Sequence, residues 1–80
     1  MEGVGEIPVM LKRLKYLIAE GFVVVSVSAF EARDPAMRGM ARLTYRAWDS
    51  EGGWKTVTET YEVSAAEAEE CSVVFFNYLA

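Results

Sequence analysis

The chain has 80 residues, about half of the ~150 expected per domain, so it is read as one domain. Hydrophobic residues make up 52% and charged residues 25%, which excludes a disordered, collagenous or disulfide-framework protein and predicts a folded, soluble one. Eight Lys and Arg against twelve Asp and Glu give a net charge of −4, opposed on average to a phosphate backbone.

The absence of histidine removes Ser-His and Cys-His nucleophile pairs, His-ligated zinc and the usual neutral-pH proton shuttle. No catalytic residue, cofactor or metal site is therefore assigned. A single cysteine cannot form an intramolecular disulfide, and Met1–Glu6 lacks the basic start and apolar run of a secretory signal, so a cytoplasmic location is expected. Apolar runs such as Phe22–Val25 are far shorter than the ~20 residues that cross a bilayer, so no membrane partner is expected.

Ile7, Met10 or Leu11, Leu14, and Leu17 or Ile18 recur at helical spacing, while Lys12, Arg13 and Lys15 lie mostly off that stripe as a solvated face. Pro8 suits a first turn and Gly21 a C-terminus, which predicts a helix over residues 7–20. Residues 22–31 then alternate as a strand. Val23, Val25, Val27 and Ala29 are the expected core side, and Phe22, Val24, Ser26, Ser28 and Phe30 the other. Asp34-Pro35 predicts a break with Asp34 capping a short turn, and Gly39 releases the chain again.

Residues 40–50 alternate Ala41, Leu43, Tyr45 and Ala47 against Met40, Arg42, Thr44, Arg46 and Trp48, which predicts a second strand. Glu51-Gly52-Gly53 reads as a three-residue loop, and residues 54–63, rich in β-branched side chains, as a third strand. The expected register sets Asp49 opposite Lys55, Arg42 opposite Glu62, Ala47 opposite Val57, Leu43 opposite Tyr61 and Ala41 opposite Val63. It leaves Glu59 in conflict, a carboxylate on the inner side.

Ser64-Ala65-Ala66-Glu67 has the spacing of a capping box, in which Ser64 accepts the Glu67 N–H and the Glu67 carboxylate reaches back to the Ser64 N–H. The second helix that follows has a main stripe of Ala68, Cys71, Phe75, Tyr78 and Leu79. Val73, Val74 and Phe76 carry apolar surface further around it. Cys71 lies on the stripe and is read as a packing residue. The fold class is thus α+β: a two-layer sandwich, order α-β-β-β-α, with a three-stranded antiparallel sheet and two helices on one face. Double-stranded RNA-binding domains share this order, but Glu67, Glu69 and Glu70 stand where such a domain needs basic residues, and no family resemblance follows.

A chain of this size hides only ~60–65% of its extended surface, so part of its apolar content is expected to meet another protein. Trp48, Trp54, Val73 and Phe76 are the expected interface anchors, because buried aromatic residues dominate interface energetics. The function expected is that of a non-enzymatic protein-binding module, a small acidic adaptor or inhibitor. Its partner class would include nucleic-acid-processing proteins, and it would itself be a homodimer. The alternative is a single-stranded DNA- or RNA-binding protein that uses Arg42, Arg46, Trp48 and Trp54 on an open sheet face.

Overall fold

The computed structural model describes residues 7–28, 30, 33, 34 and 36–80. Its elements are α1 (Val9–Ala19), β1 (Val23–Ser28), β2 (Arg38–Asp49), β3 (Gly53–Ser64) and α2 (Ala65–Leu79). The strands form one antiparallel sheet in the order β1-β2-β3, and both helices pack on the same face of it, as the alternation and helical periodicity predict. Met1–Glu6, and the expected roles of Ala29, Glu31 and Pro35 at the end of the first strand and in the following turn, lie outside the described residues.

Met10, Leu11, Leu14 and Leu17 bury one stripe of α1, whereas Ile7 is exposed ahead of it. Gly21, with φ +86°, ends the helix: its N–H reaches the Ile18 carbonyl at 3.1 Å, and the Phe22 N–H reaches the Leu17 carbonyl at 3.0 Å. This paired closure needs a left-handed residue, which glycine supplies without a Cβ clash.

The expected inner face of β1 is corrected by an irregularity. Val24 pairs with Tyr45 and Ser26 with Thr44, so Val25 is an extra residue without a partner on β2. Such a bulge reverses the alternation. Before it Val24 is buried and Val23 and Val25 are exposed; after it Val27 turns inward while Ser26 and Ser28 turn out.

In the hairpin the expected faces hold, with Ala41, Leu43 and Tyr45 buried and Ala47 packed against the core, but the register is displaced by two residues. The observed partners are Trp48 with Trp54, Tyr45 with Val57, Leu43 with Glu59, Ala41 with Tyr61 and Arg42 with Thr60. The loop is again three residues long but one position earlier, Ser50 to Gly52, because Gly53 pairs with Asp49 and takes φ +78°. Asp49 Oδ1 accepts the Glu51 N–H at 2.9 Å inside that loop. The Asp49–Lys55 ion pair survives as a diagonal contact at 2.5 Å.

α2 begins with half of the expected capping box. Ser64 Oγ accepts the Glu67 N–H at 3.1 Å, but the Glu67 carboxylate turns to α1 and accepts the Leu11 N–H at 3.1 Å. At the other end Tyr78 OH accepts the Val24 N–H at 3.1 Å and reaches the Phe22 carbonyl at 3.4 Å, just past the end of α1. The two helices therefore run side by side in the same direction, over a core of Met10, Leu14, Leu17, Leu43, Val63 and Cys71.

Candidate functional site

The side chains expected to anchor an interface occupy two faces. Trp48 and Trp54 stand directly opposite each other on the outer face of the sheet, with ring centroids 5.5 Å apart and planes at 74°. They are 64% and 55% exposed. The alternation of β2 and β3 puts them there: Trp48 and Trp54 share the parity of Thr44 and Thr58, whose hydroxyls lie 3.1 Å apart, and that parity is opposite to buried Leu43 and Tyr45.

The same parity carries Arg38, Arg42 and Arg46 along β2. Arg46 lays its guanidinium over the Trp54 ring at 5.4 Å, a cation–π contact that orders both side chains. Arg38 meets Glu62 through that residue's carbonyl at 2.9 Å and its carboxylate at 4.0 Å. Among the described residues Arg42 and Arg46 make no ion pair, so this face is basic on a protein that is acidic as a whole. A shallow depression bounded by Glu20, Gly21, Phe22, Arg46, Trp48 and Trp54 adjoins the tryptophan pair.

Val73 and Phe76 occupy the second face, 53% and 72% exposed on α2. At 100° per residue they and Glu69 point away from Ala68 and Cys71, which are buried against the sheet. A groove lined by Leu11, Lys15, Glu69, Glu70, Val73 and Val74 runs between the helices beside them. α2 carries Glu67, Glu69 and Glu70 and no basic residue. The outer surface of α2 is thus apolar and acidic.

Sequence reasoning missed one constellation. Arg13, expected on a solvated face, turns inward and grips Glu59 with Nε to Oε1 at 3.2 Å and Nη2 to Oε2 at 3.1 Å. Tyr45 OH donates to Glu59 Oε2 at 2.7 Å, Tyr61 OH donates to Oε1, and Arg13 also contacts the Tyr45 hydroxyl at 3.1 Å. Burial alone would raise the Glu59 carboxyl, but the hydrogen bonds from Arg13, Tyr61 and Tyr45 hold it below the ordinary glutamate value. Burial, followed by the adjacent Glu59 carboxylate, pushes the Tyr61 phenol up to about 12. The conflict posed by an inward carboxylate is resolved by this clamp, and the signal for it was an acid on the core side of β3 facing an arginine at the margin of α1's apolar stripe.

Cys71 is fully buried, and burial together with Glu67 and Glu70 pushes its thiol up to about 12, the reverse of an activated nucleophile. Among the described residues no group of three Cys, Asp or Glu side chains is placed to hold a metal ion, and no helix is long and apolar enough to cross a membrane. Comparison with protein-family models, curated proteins and solved structures finds no match to the chain.

Proposed function

We propose that this protein is a non-enzymatic protein-binding module, a small adaptor or inhibitor whose working surfaces are the outer sheet face and the outer face of α2. The observation that carries the reading is the exposure of Trp48, Trp54, Val73 and Phe76, each more than half open to solvent while other apolar side chains form the core. Large aromatic and aliphatic groups held on rigid elements lose little conformational freedom on docking and supply most of an interface's energy. The acidic surface of α2 suits a basic partner, such as a protein that itself handles nucleic acid. Capture of proteins from the native cell by tagged protein, with Phe76→Glu and Trp48→Ala forms in parallel, tests the reading. A partner retained by the wild type and lost by either variant supports it. Identical captures by all three forms contradict it.

A second reading, binding of single-stranded nucleic acid, is favoured by the three arginines that share the tryptophan face. Bases stack on such rings at ~1–3 kcal/mol each, and guanidinium groups hold phosphates. Titration of labelled single strands at low salt decides it: affinity that falls with salt and with Trp48→Ala supports this reading, and no binding at low salt removes it.

A further inference from the structure

The two unpartnered faces look in opposite directions. α2 turns Glu69, Val73 and Phe76 away from the sheet, and the hairpin turns Arg42, Arg46, Trp48 and Trp54 away from the helices. One face is apolar and acidic; the other is aromatic and basic. Resting on the protein-binding reading, we infer that each face is the partner of the other: α2 of one copy lies on the outer sheet face of the next, head to tail.

Charge selects this pairing over the symmetric ones. Two outer sheet faces set against each other would bring the Arg42 and Arg46 guanidiniums of both copies together, and like charges in a desolvated contact oppose association. Pairing α2 with α2 covers Val73 and Phe76 but leaves both tryptophans in water. The head-to-tail contact covers all four side chains and faces Glu69 and Glu70 with arginines.

Spacing agrees. Glu69 and Glu70 lie about 5–10 Å along the helix from Val73 and Phe76, at ~1.5 Å per residue. Arg46 lies about 7 Å along β2 from Trp48, at ~3.4 Å per residue. With Val73 and Phe76 seated on the tryptophans, the two carboxylates fall beside Arg46. A helix on the second face of the sheet repeats the packing that α1 and α2 already make on the first.

The contact does not close. Because the two faces point oppositely, each added copy presents a fresh face, so the assembly is an open chain and not the homodimer expected from sequence.

Light scattering of the wild-type protein over a rising concentration series at low salt tests this. The weight-average mass should climb past twice the 8.9 kDa subunit and fall back as salt is added. Two charge-reversed proteins sharpen the test, Glu69→Arg with Glu70→Arg and Arg42→Glu with Arg46→Glu, all at exposed positions and each checked for native circular dichroism. Alone, each carries one sign on both faces and should stay monomeric; mixed in equal amounts, they should assemble as the wild type does. Where a double variant loses helicity, Glu70→Gln and Arg46→Gln replace it, and each should weaken assembly. A mass that levels at two subunits, a mixture that stays monomeric, or assembly of the Arg42→Glu, Arg46→Glu protein by itself overturns the head-to-tail contact. A monomeric wild type that captures a different protein through Phe76 overturns this inference and leaves the protein-binding reading standing, whereas a monomer with no such capture overturns both.

Discussion

The Glu67 carboxylate, on the first turn of α2, accepts the backbone N–H of Leu11 on the first turn of α1 at 3.1 Å, while the N–H of Glu67 itself is capped by Ser64 Oγ. One residue therefore serves the N-termini of both helices. Because the helices run in the same direction, their positive ends lie together, and a buried carboxylate between them offsets that repulsion.

Glu67→Ala is expected to cost about 1–2 kcal/mol, combining a lost cap with a buried N–H left without its partner. Glu67→Gln keeps an acceptor oxygen and loses the charge, so it should cost less. Ser64→Ala removes the α2 cap alone, at about 1 kcal/mol. Urea denaturation midpoints at fixed slope measure all three.

Arg13→Ala leaves Glu59 half-buried with only two tyrosine hydroxyls, and about 1 kcal/mol of stability should go. This is less than the ~1.5–3 kcal/mol of a buried charged hydrogen bond, because the Arg13 side chain is 37% exposed. The Glu59 carboxyl is depressed in the folded protein, so its contribution is complete above the unfolded glutamate value, ~4.3, and disappears as pH falls through the lower folded value. Acid titration of stability should show a shallower loss below pH ~4 for Glu59→Gln than for the wild type.

At the alkaline end the sign reverses. Cys71 and Tyr61 have folded values raised to about 12, so the unfolded chain loses these protons first and stability should fall as pH climbs above the unfolded thiol value, ~8.5. Cys71→Ala, though less stable at neutral pH from the lost volume, should show a flatter decline between pH ~9 and ~11. Equal slopes in the two proteins would contradict this assignment.

Gly39 lies beneath the Phe30 ring, where an added Cβ would sit 2.9 Å from ring carbon Cδ2. Gly39→Ala is therefore expected to displace Phe30 and cost about 1–3 kcal/mol, and Gly39→Ala with Phe30→Leu should recover part of that loss by thermal melting.

Much of this architecture is legible from periodicity. The α1 stripe, the Gly21 closure, the Ser64 cap and the inward set Ala41, Leu43 and Tyr45 all follow from residue spacing, since helix and strand impose fixed repeats. The β1 bulge was hidden because Phe22–Val25 is apolar at four consecutive positions, which leaves no alternation to read; only Ser26 and Ser28 mark the outward side after it. The hairpin register differs from the expected one because opposite charges at Asp49 and Lys55 favour direct pairing in sequence, while Gly53's left-handed backbone starts β3 one residue earlier and leaves that ion pair diagonal. The Arg13–Glu59 clamp joins residues far apart in the chain, and local pattern carries no distance information of that kind. The exposure of Trp48, Trp54, Val73 and Phe76 is legible in kind, as apolar residues beyond what the core can hold, and their sorting into a basic and an acidic face follows only from the fold.

Both tryptophans of the chain stand on the outer sheet face, so intrinsic tryptophan fluorescence reports that face alone. Emission and acrylamide quenching should be followed as the protein is concentrated, in the wild type and in Phe76→Glu, whose substitution lies on the opposite side of the molecule. A blue shift with growing protection in the wild type, abolished by Phe76→Glu, is the predicted result. Emission and quenching that stay the same at every concentration in both proteins would contradict the account.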